Sequence, residues 1–435
     1  MSSSHFSLGA HLQAMLDVEA ALAEAEAAIG VIPRQAARSI RACARVENLD
    51  EAAIESEARR DGTMAIPLVR QLTSRVAAAD ADAARYVHWG ATSQDIIDTA
   101  LVLQLRAAVP AVATDLFRAA DAAAGHAERH MKTTMAGRTW LQQATPITFG
   151  LKAAGWCDAL DRVAVRLDSA LTDAVVLQFG GASGTLAALG ERGPEVAAGL
   201  GQALHLAVPP IPWHSHRDRL ASLACALGVA TGTAGKIGRD LGLLAQTEVG
   251  EAHDPDSDAG SSSTMPHKQN PVRAAIAVAA AIRAPGLVAT MLSAMLQEHE
   301  RALGGWQAEW DTIPDLVSTA GQAASAIAGA LEALVVDPVR MGANVNITGG
   351  LVLAESVAMR LAPELGKREA DAAVKRAARR TGEGQSFADV LASDSAVSAV
   401  LNRSEIDKAL SPDDYLGSAE AFVAAVLGRR PQRKK

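Results

Sequence analysis

Residues 261–271 read SSSTMPHKQNP and run straight into an apolar stretch. Asn270 can cap the helix that begins there, and Pro271 suits its first turn. The free N–H groups and macrodipole of such an end attract anions, and Lys268 adds a full positive charge beside it. Carboxylate binding is the chemistry these residues suit, although an ordinary capped helix after a polar loop would read the same way. A second cluster, 88–98 (HWGATSQDIID), has Thr92 and Asp95 at capping-box spacing and therefore starts a helix. Metal and phosphate patterns fare worse. Asp254, Asp256 and Asp258 resemble the start of a calcium loop, but Ala259 replaces the required Gly and Met265 the closing Glu. His214 and His216 lack partners at zinc spacing, and 180–184 (GGASG) lacks the Lys of a phosphate loop. No metal and no cofactor are expected.

The elements that must position these groups are helical. Aromatic residues make up only 3% of the chain, and runs of alternating β-branched residues are weak throughout, so sheet signals are poor. Long helices are expected at about 101–133, 146–178, 217–250, 271–304 and 309–336, kinked or broken at Pro110 and Pro285. In the third, Leu220, Leu223, Leu227, Ala230, Ala234, Ile237, Leu241 and Leu244 recur every three or four residues and form one seam. Gly228, Gly232, Gly235, Gly238 and Gly242 lie off it, which implies close neighbours on a second side, as in an oligomeric bundle or, alternatively, the central helix of a monomer. The polar segment 251–270 is long for a helix connection, and a loop of that length is either functional or disordered. The tail 429–435 reads as a solvated charge run.

A formal charge of -8 argues against nucleic acid or an anionic membrane as a bulk partner. The N-terminus lacks the pattern of an export signal, so the cytoplasm is expected. The longest purely apolar run, Ala274 to Ile282, falls short of a bilayer span, and no membrane association is expected. Cys43, Cys157 and Cys225 are far apart and read as small core residues.

Segment 261–271 resembles the Gly-Ser-Ser-x-Met-Pro-x-Lys-x-Asn signature of the fumarase/aspartase superfamily, with Ser261 in place of the Gly. Residues 88–98 are similar to that family's His-x-Gly-x-Thr-Ser-x-Asp region. Residues 137–150 (GRTWLQQATPITFG) are similar to its Gly-x-Thr-His-x-Gln-x-Ala-x-Pro stretch. The resemblance implies Ser262 as catalytic base, with Lys268 and Asn270 on a substrate carboxylate. It implies His88, Thr92, Ser93, Thr139, Trp140 and Gln142 as substrate contacts. Trp140 stands where the lyases have a His that works near the leaving group, and an indole cannot carry a proton in that way. Lactone opening expels a carboxylate, with a conjugate acid of pKa about 4, and needs no such acid. The residues therefore resemble the carboxymuconate cycloisomerase branch, as do segments 177–186, 212–219, 297–310 and 341–350.

That branch implies ring closure of a small polycarboxylate in aromatic catabolism, through an aci-carboxylate intermediate. An adenylosuccinate-type or other β-eliminating lyase is the alternative, and a bundle that has lost its chemistry a second. A tricarboxylate needs further cations, for which Arg301 is the first candidate and Arg217 the second. The family implies an all-α fold of three helical domains, 1–100, 101–340 and 341–435, around a long central bundle. It also implies a homotetramer with sites shared between subunits.

Overall fold

Leucines repeated at helical spacing make elements that must be covered, and covered helices dominate this chain. The computed structural model describes residues 2–255, 265, 268–381 and 385–430. The chain passes in order through α1 (Leu8–Ala28), α2 (Arg34–Cys43), α3 (Glu51–Asp61), α4 (Ala65–Ala79), α5 (Ser93–Arg129), β1 (Thr134–Thr139), β2 (Gln142–Thr148) and α6 (Phe149–Ala174). It continues through α7 (Gly193–Leu204), α8 (Asp218–Leu244), β3 (Ala252–His253), α9 (Val272–Ser293), α10 (Gly305–Ala333), β4 (Val335–Val336) and α11 (Pro338–Val345), and further helices follow between Ala354 and Arg429. Among the described residues the fold is all-α apart from two small antiparallel ribbons, β1–β2 and β3–β4.

Two compact units make up the chain. The first comprises Met1–Asp115, Val163–Thr233 and Ala279–Ser325; the second comprises Leu116–Arg162, Ala234–Val278 and Ala326–Lys435. Every residue of the expected α8 seam is buried, from Leu220 (1% exposed) to Leu244 (4%). Each large aliphatic side chain so covered contributes about 1.5–3 kcal/mol. Close approach off the seam holds at two of the glycines. A Cβ on Gly228 would meet Val288 at 2.6 Å, and one on Gly238 would meet the Ala274 carbonyl at 2.8 Å. Gly232 and Gly242 meet nothing within 4 Å.

Several expectations need correction. The β1–β2 hairpin was not foreseen. Pro146 sits in β2 and Gly137 at a register shift in β1, and both interrupt any alternating pattern. Only Gly fits there, since a Cβ would come within 2.5 Å of the Thr145 carbonyl. Pro110 and Pro285 lie inside α5 and α9 and end neither helix. The stretch 271–304 stops at Ser293, beyond which the Gln297 amide takes the Ala294 carbonyl and His299 turns left-handed (φ 51°). Arg430, assigned to a solvated tail, is instead tied to Asp161 (2.9 Å) and Asp121 (2.6 Å). Of the cysteines only Cys157 is buried, and burial pushes its thiol up to about 12; Cys43 and Cys225 are half-buried.

By length and composition α5, α8 and α9 are apolar enough to cross a membrane, which the count of uninterrupted apolar residues had hidden. The protein itself covers 72% and 56% of the apolar windows of α5 and α8, but only 22% of that of α9.

Candidate active site

In the first unit the candidate residues gather at the start of α5. The Thr92 N–H donates to Asp95 Oδ2 at 3.0 Å, which supplies half of the expected capping box. Asp95 does more than cap. Its buried carboxylate also accepts the N–H groups of Gly180 and Gly181, both at 2.9 Å, and lies 2.7 Å from His214 Nε2. With four donors around it, this carboxylate is fully engaged and is no free base. Its work is to fix the 180–184 turn against the helix end, where first-turn N–H groups favour an anion. The hydroxyls of Thr92 and Ser93, half-buried at that end, have no partner among the described residues.

Arg301 belongs to the same place. Its Nε donates to Gln94 Oε1 at 3.0 Å and its Nη2 to the Ala182 carbonyl at 3.1 Å. Both acceptors are neutral, and no carboxylate pairs with it among the described residues. The guanidinium is thus oriented without being neutralised, as a carboxylate-binding Arg needs to be. Gln94, fully buried, is oriented in turn through bonds to the His214 carbonyl (2.9 Å) and Asp98 (3.2 Å).

Arg217, the second cation candidate, has a different role. It is 2% exposed, forks onto Asp98 (2.7 and 3.0 Å) and Glu309 (2.5 to 3.1 Å), and lies 4.8 Å over the Trp213 ring. Although burial disfavours its charge, the two carboxylates outweigh burial and hold it firmly protonated. No substrate can reach it, so it is a structural ion. Trp306 Nε1 completes the cluster on Asp98 at 3.0 Å.

His88 has a left-handed φ of 58° and places Nδ1 2.6 Å from Glu19 Oε1. Burial alone would lower its pKa, but the Glu19 charge and hydrogen bond prevail and raise it. The ring is thereby held by Glu19 beside this unit's candidate residues.

In the second unit Thr139 and Gln142 pair across the hairpin, with Trp140 and Leu141 as its two-residue turn. Both turn residues have positive φ (51° and 63°), a conformation that Asn or Gly would adopt more cheaply. The strain holds two large apolar side chains outward, with Trp140 97% and Leu141 76% exposed. Lys268 is exposed and precedes α9, while Asn270 is half-buried; the helix begins at Val272, slightly later than the capping argument placed it. No hydrogen bond joins Lys268 to Thr139, Trp140 or Gln142 among the described residues. Ser262 lies outside the described residues.

Sequence reasoning missed Gln94, Asp98, Glu309 and Glu19. The available signal was charge balance, because Arg217 lies in a motif with no acidic partner at helical spacing, and a buried Arg must find one elsewhere.

Known proteins bear directly on this arrangement. The family described as Lyase matches residues 2–286, and the family described as Adenylosuccinate lyase C-terminus matches 350–426. A 3-carboxy-cis,cis-muconate cycloisomerase of Pseudomonas aeruginosa is 51% identical, covering 97% of this chain and 92% of its own. One of Bradyrhizobium diazoefficiens is 49% identical over 96% and 93%. The crystal structure of the 3-carboxy-cis,cis-muconate lactonizing enzyme from Pseudomonas putida superposes with a TM-score of 0.92 at 45% identity, covering 98% of this chain and 96% of that one.

Proposed function

We propose, from the premise that this chain belongs to the fumarase/aspartase superfamily of lyases, that it closes 3-carboxy-cis,cis-muconate to carboxymuconolactone in the protocatechuate branch of aromatic catabolism. The observation that carries the reading is Trp140. It stands at the tip of the strained hairpin, outward-facing, where the superfamily's lyases carry a proton-transferring His, and an indole suits only a reaction whose leaving group is already a stable anion.

In the forward direction a carboxylate oxygen of the substrate adds to a conjugated double bond, and the electron pair moves into the neighbouring carboxylate as an aci-carboxylate. Ser262 then delivers a proton to the carbon next to it, so that ring closure consumes one proton. The extra negative charge of the intermediate falls to Lys268 and Asn270. Arg301 and the hydroxyls of Thr92 and Ser93 hold a further carboxylate, with Thr139 and Gln142 completing the contacts.

We assign these residues to one site that is assembled from several subunits of a cytoplasmic homotetramer. Support comes from α9, where only 22% of the apolar 18-residue window is buried by this chain, and from the outward Trp140 and Leu141. Light scattering on the purified protein checks the assembly, and a monomer active at high dilution contradicts it. The activity is tested by following loss of diene absorbance with 3-carboxy-cis,cis-muconate, beside adenylosuccinate in a parallel cell. Turnover of the first alone is expected; turnover of the second alone would favour a β-eliminating lyase.

A further inference from the structure

The hairpin and α11 are fastened together by one buried carboxylate, that of Glu251. Glu251 is 0% exposed, and its two oxygens accept Arg138 Nη1 at 2.8 Å, Arg138 Nη2 at 2.6 Å and Asn344 Nδ2 at 2.8 Å. Arg138 directly precedes Thr139 on β1. Its cross-strand partner Gln143 donates to the Asn344 carbonyl at 2.8 Å, so both strands of the hairpin reach α11. From α11, Arg340 donates to the carbonyls of Glu248 and Val249, and Asn344 Nδ2 also donates to that of Val249. The Asp337 N–H takes the Glu251 carbonyl at 2.9 Å. Three residues past Glu251, Asp254 accepts Arg273 Nη1 at 3.0 Å, joining the first foot of the long segment to the start of α9.

We infer that Glu251 is a positioning residue for the reaction. Its fork onto Arg138 fixes distance and direction together, because two parallel charge-assisted bonds leave the guanidinium one orientation. Its bond to Asn344 refers that orientation to α11. The tip that carries Thr139, Trp140 and Gln142 is thereby held at a set height against α11 and Glu251. Arg138 itself is occupied by Glu251 and is not a substrate cation. The inference rests on reading Thr139, Trp140 and Gln142 as substrate contacts.

The test uses the full-length protein and Glu251→Gln, Asn344→Ala and Glu251→Asp. Hydrogen exchange of amides 134–148 is measured against those of 354–365 as an internal reference, and turnover of 3-carboxy-cis,cis-muconate is measured alongside. In Glu251→Gln the hairpin amides are expected to exchange at least about tenfold faster with the reference unchanged. A tip displaced by about 1 Å is expected to lower kcat on the order of 10²-fold. KM is expected to move by less than about threefold, with Asn344→Ala giving a smaller loss and Glu251→Asp recovering part of kcat. Wild-type exchange in the hairpin, equal acceleration across hairpin and reference, or an unchanged kcat would overturn the inference. If the wild-type protein fails to turn over the muconate, the functional reading falls, and the exchange data alone decide whether Glu251 holds the hairpin.

Discussion

Glu26 offers a sharp test of the electrostatics behind this fold. It lies on α1, 0% exposed, and neither carboxylate oxygen has a hydrogen-bond partner among the described residues. Burial first, then the charge of Glu19, push its carboxyl from 4.5 up to about 8. The folded chain therefore keeps this proton up to about pH 8, whereas the unfolded chain releases it near 4.5. Between those values the native state binds more protons, so stability must fall as pH rises. The interval, 8 - 4.5 = 3.5 units, corresponds to roughly 5 kcal/mol at about 1.4 kcal/mol per unit. Glu26→Gln keeps the shape and removes the titration. The assay is urea unfolding of both proteins at half-unit steps from about pH 5 to 8.5, comparing midpoints of the first transition, since a chain of this size need not unfold in one step. The wild type is expected to weaken across the series relative to the variant by several kcal/mol, whatever constant offset the buried amide brings. Parallel curves would refute the reasoning, because Glu26 would then be ionised or solvated in the folded chain.

Arg217→Met removes the only counter-charge named for both Asp98 and Glu309, each with a 1% exposed side chain, and is expected to destabilise the protein by about 3–5 kcal/mol; wild-type urea midpoints would contradict its structural role. Arg301→Met loses a charge-assisted bond to substrate worth about 1.5–3 kcal/mol, so kcat/KM should drop roughly 10- to 150-fold with unfolding midpoints little changed. Wild-type kinetics would remove Arg301 from the site. The raised pKa of His88 predicts stability that is complete below the unfolded value of 6.5 and is lost as pH climbs through the folded one. In a Glu26→Gln background, His88→Asn should abolish that residual slope, and a slope that persists would show that the Glu19 pairing does not control it.

The helices were legible in the sequence because their apolar spacing is a local property, as the seam from Leu220 to Leu244 shows. The hairpin was not. Its turn is Trp140–Leu141 in left-handed backbone, where the usual hairpin signal would be Asn-Gly, and Gly137 and Pro146 break the alternation. Arg301 and Arg217 were ranked first and second as substrate cations, with no local pattern to show that their roles differ. They part only when tertiary contacts give the first two neutral acceptors and the second two buried carboxylates. Thr92 and Asp95 were readable as a helix start from their spacing, but Gly180, Gly181 and His214 meet Asp95 across long stretches of chain that no local pattern reports. The same holds for Arg138, Glu251 and Asn344, which lie in three separate segments.

Proton stoichiometry tests the proposed chemistry most directly. Near pH 7 all three carboxylates of the muconate are ionised, since such groups titrate near about 4, and lactone formation turns one into an ester while a C–H bond is made. In a weakly buffered solution with a pH indicator, the wild-type protein should remove one proton from solvent for each diene lost. Diene absorbance that persists, or that falls with no uptake of protons, would contradict the account.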